Sequence, residues 1–297
     1  MKNNKIKHAM TAASRYMMSC TWALTLAMAL ASSTNAQDRI FRVDIANGSL
    51  TGDGQDWGED SIRFLQDALA MADDYLISNP THTVEIWVAA GTYLPNQSVA
   101  ISPDETCFAG SEPCDECCQF RLRRNVSILG GFDGTEEFGF ERDPSVNTTI
   151  LSGDLAPAAD VVTATDVDAS ATLDGFTIRG GIALRRSQLR IRDCTIELPE
   201  DAAVVCHDAS HASFQRCTFA LHHGESIIIR GTSRVELLLC EPAAELSDLQ
   251  RCDQARVGES SQLLIVDQAM WDAAMARSAA GGEDQSGESA TGTRPQR

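Results

Sequence analysis

The chain has 297 residues, 43% of them apolar, and a formal net charge of −18. That length suits one elongated domain with terminal extras and a filled core. The charge argues against nucleic acid or an anionic membrane surface as partner, because both need a positive face, and it disfavours unassisted binding of polyuronates.

The N-terminus reads as a secretory signal over residues 1–36. Lys2, Lys5, Lys7 and Arg15, with no acid among them, precede the apolar run Thr21 to Ala31 and the small residues Ser32 to Ala36, with cleavage expected after Ala36. The run is too short to span a bilayer comfortably, and nothing beyond it approaches a transmembrane length. Removing those four positive charges takes the net charge from −18 to −22. The expectation is a soluble exported protein, secreted or in the cell envelope. Nine of the ten cysteines survive cleavage, so in an oxidising compartment at least one is left unpaired or intermolecular.

Residues 37–82 divide into a strand, an acidic loop and a helix. Ile40 to Ile45 alternates like a strand and ends at Asn47-Gly48. In the loop Thr51 to Asp60, the carboxylates Asp53, Asp56, Glu59 and Asp60 are candidate calcium ligands, although Trp57 stands where an EF-hand needs an oxygen. A solvated acidic turn is the simpler reading. Ser61 has the character of a helix N-cap, and Ile62, Leu65, Ala68, Leu69, Ala72 and Leu76 recur at helical spacing up to Asn79-Pro80. One amphipathic helix placed before a stack of strands would cover its open end.

Glu85 to Tyr93 is the first strongly apolar strand. The succession Leu65-Gln-Asp-Ala-Leu69, Glu85-Ile-Trp-Val-Ala-Ala-Gly-Thr-Tyr93, Val126-Ser-Ile-Leu-Gly-Gly-Phe-Asp-Gly-Thr-Glu136, Glu141-Arg-Asp-Pro144, Thr149-Ile-Leu-Ser-Gly-Asp154 and Leu173-Asp-Gly-Phe-Thr-Ile-Arg-Gly-Gly181 resembles secreted bacterial right-handed parallel β-helix proteins. These are pectate-lyase-like in fold and polymorphic outer-membrane-protein-like in family. The resemblance covers about residues 43 to 182. It implies the fold and an extracellular or envelope location, and it implies no shared reaction. Gly130-Gly131, Gly134 and Gly153 are expected to mark corners, where a positive φ costs glycine little.

Residues 94–119 form a Cys-rich loop carrying Cys107, Cys114, Cys117 and Cys118. Four cysteines so close could close a zinc site. Two disulfides fit an exported loop better, pairing Cys107 and Cys114 with Cys117 and Cys118 in an order left open, because adjacent cysteines rarely bridge each other.

From Ala171 to Cys240 the chain repeats itself. Ala171 to Ile178, Ser187 to Ile196 and His211 to Phe219 share one pattern: apolar, two residues, Phe or Cys, Thr, apolar. Phe176, Cys194 and Cys217 fill one slot at steps of 18 and 23 residues, and a further 23 reaches Cys240. A second register carries Cys206, Ile229 and Cys252. Such a period marks a solenoid, in which each turn buries its apolar edge by stacking on its neighbours. The fold expected is therefore all-β, a right-handed parallel β-helix over 83–267 with the ladder cysteines as buried fillers. Strands starting near Glu85, Phe120, Val126, Thr149, Leu173, Leu189, Phe214, Val235 and Leu263 suggest roughly seven to nine turns, stacked about 4.8 Å apart. Residues 268–297 read as a short helix and a disordered tail.

Candidates for chemistry are thin. Arg190, Arg192 and Asp193 crowd one strand, and Arg216 repeats the position of Asp193 one turn on. A catalytic face and a solvated face of cross-strand ion pairs are both compatible with that pattern. His211, His222 and His223 form the main histidine concentration and are candidate metal ligands. No nucleophile elbow, phosphate loop or zinc-protease helix motif is present. No cofactor is called for, calcium being the one ion the acidic loop would suit. The leading expectation is a non-catalytic surface that binds a polysaccharide or another envelope component. The competing expectations are a polysaccharide lyase or glycosidase, and a structural part of an envelope assembly.

Overall fold

The computed structural model of the chain describes residues 39–95, 97–98, 119–153, 160–197, 204–220, 227–241, 255–257 and 262–266. Residues 1–36, expected to be a signal, Cys107, Cys114, Cys117, Cys118, His222, His223, Cys252 and residues 268–297 lie outside them.

Strand β1 (Arg39–Val43) is followed by a 3-10 turn (Gly58–Asp60) and helix α1 (Leu65–Ser78). The chain then winds in coils of three strands. The first holds β2 (Val84–Ala89), β3 (Gly91–Tyr93) and β4 (Phe120–Leu122), and the second β5 (Val126–Phe132), β6 (Thr149–Ser152) and β7 (Asp160–Thr165). The third holds β8 (Thr172–Asp174), β9 (Phe176–Arg179) and β10 (Gly181–Arg185), and the fourth β11 (Gln188–Arg192), β12 (Thr195–Glu197) and β13 (Val204–His207). The fifth holds β14 (His211–Gln215), β15 (Thr218–Ala220) and β16 (Ile227–Ile229), after which come β17 (Arg234–Leu238), β18 (Ala255–Val257) and β19 (Gln262–Val266).

Like strands stack on like. Eight form one sheet in the order β1-β2-β5-β8-β11-β14-β17-β19, six a second (β18-β16-β13-β10-β7-β4) and five a third (β15-β12-β9-β6-β3). Neighbours run parallel throughout, with in-register pairs such as Ile191 with Leu173 and with Phe214. The fold is a right-handed parallel β-helix. Its eight-stranded sheet agrees with the expected number of turns for a partly different reason. Phe120 and Thr149 open strands on the other two faces and are not turns of their own, while β1 adds a rung at the front.

The core is a set of apolar columns. Ile86, Ile128, Leu173, Ile191, Phe214 and Leu237 follow one another through the register of the first sheet, each at most 1% exposed. Burying one such side chain stabilises the fold by about 1.5–3 kcal/mol. The recurring sequence unit turns out to be a corner with a strand on each side. In Leu173-Asp-Gly-Phe176-Thr-Ile178, Leu173 closes one strand inward, Gly175 turns the chain at φ +80°, and Phe176 and Ile178 point inward from the next. On later coils that corner residue is Asp193, Arg216 and Leu239, at φ +48°, +52° and +55°. Each is a side-chain-bearing residue in the left-handed region, held there because its N–H donates to a carbonyl of the following coil.

Cys194, Cys217 and Cys240 occupy the slot just inside that corner, buried and unbridged, as is Cys206. The second cysteine register holds only as far as Ile229, which pairs with Val257. The position assigned to Cys252 therefore belongs to Val257, because the last coil steps by 28 residues, from Arg234 to Gln262, and not by 23. The opposite corner carries an unforeseen column of buried serines. Val167 N–H donates to Ser187 Oγ at 3.1 Å, Ser187 N–H to Ser210 Oγ at 3.2 Å and Ser210 N–H to Ser233 Oγ at 3.1 Å. Each hydroxyl satisfies a corner amide that the sheets leave unpaired.

Helix α1 begins later than the pattern implied. Its N-cap is Phe64, while Ser61 is fully buried and donates its hydroxyl to Gly58 O at 2.6 Å. Ile62 bridges Val43 and Ser49, so the stretch before Leu65 is held as an extended segment beside β1. Leu65, Ala68, Leu69 and Ala72 join the core, and the helix packs on β1, β2 and β4 at the N-terminal end. Gly131, Gly134 and Gly175 take positive φ, whereas Gly130 and Gly153 do not. Gly130 is small for another reason: a Cβ there would stand 2.7 Å from Gly175 O.

Candidate functional site

The segment after β5 folds back over the outside of the rod. Glu141 shapes it by accepting the N–H groups of Glu137 and Phe138, both at 2.9 Å, around a short 3-10 turn, Gly139–Glu141. Arg142 anchors it, donating to Gly130 O at 2.8 Å and forming an ion pair with Asp174 at 2.6 Å. Pro144 sits on Gly131 and Gly175, where a Cβ would come within 2.6 Å and 2.9 Å of its Cγ. The Glu141-Arg-Asp-Pro144 and Leu173-Asp-Gly-Phe176 words are thus two halves of one clamp.

Between this segment and the corner of the fourth and fifth coils lies a cleft of about 630 Å³. Its walls include Phe140, Arg142 and Asp143 on one side and Asp193, Thr195, Arg216 and Thr218 on the other. Asp143 Oδ1 accepts the hydroxyl of Ser145 at 2.6 Å and its N–H at 3.0 Å, which holds the carboxyl below its ordinary range and keeps it ionised. Arg216 meets Asp193 through two bonds of 2.8 and 2.5 Å, and that bonded carboxylate raises the guanidinium pKa above its ordinary value. At the cleft, Phe138 and Phe140 stack with ring centroids 5.4 Å apart and planes 11° apart, yet stand 52% and 83% exposed. Stacking covers one face of each ring and leaves the rest of both in water.

Of the expected site residues, the structure unites Asp193 with Arg216 as a cross-coil ion pair. Arg190 and Arg192 project from the outer face of β11, where among the described residues no ion pair or hydrogen bond engages either guanidinium. His211 Nε2 lies 3.4 Å from Glu236, which also pairs with Arg234 at 2.5 Å. In register His211 stands between Gln188 and Arg234. The acidic loop is not gathered round a point. Asp53 and Asp56 each accept a nearby backbone N–H, from Gln55 at 3.0 Å and Trp57 at 2.8 Å, and Glu59 and Asp60 lie in the 3-10 turn. No group of three or more His, Cys, Asp or Glu among the described residues is arranged to hold a metal ion.

Sequence reasoning missed Phe138 and Phe140. The available signal was an aromatic pair two residues apart among glycine and acid, where no strand or helix periodicity could bury it. Among the described residues no helix is long and apolar enough to cross a membrane. No protein-family model matches the chain, and searches of curated proteins and of solved structures return no match either.

Proposed function

We propose that this chain is an exported, non-catalytic β-helix protein that binds carbohydrate through the cleft beside Phe138 and Phe140. The observation that carries the reading is the exposed, stacked phenylalanine pair at a cleft walled by hydroxyls and charged groups, Thr195, Thr218, Asp143 and the Asp193–Arg216 pair. A sugar ring has apolar C–H faces and a rim of hydroxyls. Phe140 suits the first and the polar wall suits the second, in the manner of an apolar site with a few oriented polar groups. The ionised Asp143 serves as a hydrogen-bond acceptor here.

The test is retention of the protein on a panel of insoluble glycans, with the supernatant assayed for unsaturated products and for new reducing ends. Retention that Phe140→Ala abolishes, with no product, supports the reading. Product formation would replace it with a lyase or glycosidase. Absence of retention on every glycan would leave an assembly role, in which the aromatic pair meets another protein.

A further inference from the structure

A second cleft, of about 450 Å³, lies on the outside of the six-stranded sheet. It is hollow because the middle of that sheet is small: Gly181 stands opposite Asp160, and Ala183 opposite Thr163. Arg121 flanks Thr163 on the other side. Thr165, Arg185 and His207 follow one another in register where the strands finish. The cleft therefore runs along the strands, from a carboxylate at their start to cations at their end.

A β-bulge puts the carboxylate there. Strict alternation back from Thr165 and Thr163 would turn Val161 outward and Asp160 into the core. The register shifts between Gly181 and Ile182, so Val161 and Val162 are both buried and Asp160 emerges on the outside. Bulges re-aim side chains in this way beside functional sites. Among the described residues Asp160 has no hydrogen-bond or ion-pair partner, and burial alone raises its carboxyl pKa. At the other end, Arg185 Nε lies 3.2 Å from Asp208 in an exposed pair, and its guanidinium has further donors to give. Burial and the neighbouring Arg230 hold His207 below its ordinary pKa, so its imidazole is neutral.

We infer that this cleft binds a short peptide with free termini, its ammonium on Asp160 and its carboxylate on Arg185, while Thr163 and Thr165 meet the amides between. Such a ligand matches both ends. A purely anionic ligand would bring a second negative charge to Asp160, and a purely cationic one would meet Arg121 and Arg185. Hydrogen bonds between charged partners are the strong ones, and capture of a free amine or carboxylate is a recurring way to hold a peptide. The two ends also set a length. Gly181 and Arg185 bound β10, and four steps at the strand rise of about 3.3 Å separate them by about 13 Å. The reach of the Arg185 side chain shortens that gap to what two or three extended residues span. This cleft lies on a different sheet from the phenylalanine pair and does not rest on the carbohydrate reading.

The experiment is calorimetric titration of the full chain with dialanine, trialanine, tetraalanine and trigalacturonate, and then with the N-acetylated and C-amidated forms of the tightest peptide. Acetylation should weaken binding to wild type by about tenfold or more. Asp160→Asn should lose a similar factor for the free peptide and nothing further on acetylation, because the two changes remove one contact. Amidation and Arg185→Gln should form a second such pair, and Phe140→Ala should bind like wild type. The capped peptides are tested on the unaltered chain, so the outcome does not hang on the folding of a variant. Three results overturn the proposal: no binding of any peptide at about 10 mM, capped forms that bind as well as the free peptide, or tighter binding of trigalacturonate that Asp160→Asn leaves unchanged.

Discussion

Arg216 and Asp193 stand at the same corner of successive coils, joined by bonds of 2.5 and 2.8 Å, and both hold left-handed backbone. The corner needs the conformation, and the pair uses it to aim both side chains at the cleft. Replacing Arg216 by glycine therefore has two opposed effects on stability. It relieves about 1 kcal/mol of left-handed strain and removes an exposed ion pair worth under about 1 kcal/mol. Arg216→Gly should melt close to the wild type by circular dichroism and lose glycan retention. A large fall in melting temperature would instead make the pair a structural tie.

Ser210 links two coils, accepting the Ser187 N–H at 3.2 Å and donating to His207 O at 2.5 Å. Ser210→Ala leaves the buried Ser187 amide without an acceptor, at a cost of about 1–3 kcal/mol. Denaturant titration should show that loss with an unchanged slope. Substituting the exposed Thr232 in the neighbouring corner should do nothing comparable.

Much of the rod was legible because a β-helix core repeats its sterics. Leu173, Ile191, Phe214 and Leu237 stack in register, so their spacing appears directly in the chain. The serine column obeys the same period, yet buried serines look like ordinary turn residues until their amide partners are seen. The cysteine register failed at its end because the last coil is longer, and a constant step cannot reveal an insertion. The cleft was not legible because it joins residues remote in sequence: Arg142 reaches Asp174, and Gly139 packs on Trp87. Arg190 and Arg192 were visible as outward charges, but only the register shows that Arg192 stands opposite Asp174, a carboxylate already held by Arg142.

Ile191 is fully buried between Leu173 and Phe214. Ile191→Asp places a carboxylate with no partner among apolar side chains and should cost several kcal/mol, roughly the desolvation of one polar group without a hydrogen bond. Thermal melting would show a large drop or no cooperative transition. An unchanged melt would mean that the side chain at 191 is not in the core.

Burial pushes the Cys206 thiol up from 9.0 to about 12. Between those values the folded chain keeps a proton that the unfolded chain has released, so stability falls as pH rises. The thiol's contribution is complete below pH 9.0 and is lost on the way to about 12. Cys217 and Cys240 are raised as well, by hydrogen bonding within the thiol row and by burial, and steepen the same alkaline limb. Cys206→Val keeps the volume similar and removes one titrating group. Denaturation at successive pH values should give a shallower alkaline decline for the variant than for wild type, with the two curves parallel below about pH 8.

Gly175 connects fold and cleft most directly. Its φ of +80° disfavours any side chain, and a Cβ there would lie 2.5 Å from Arg142 Nη1 and 2.9 Å from Pro144 Cγ. Gly175→Ala should therefore cost about 1–3 kcal/mol as an overpacked site and push the 138–145 segment off the rod. The corner itself tolerates a side chain, since Asp193, Arg216 and Leu239 occupy it on later coils. What distinguishes Gly175 is the segment lying over it. The expected result is a modest fall in melting temperature with a disproportionate loss of glycan retention, because Phe140 moves away from Thr195 and Arg216. Proteolysis should detect the change as new cleavage within 138–145. Retention equal to wild type, in a variant whose melting has fallen, would show that the clamp holds the rod together without positioning the aromatic pair.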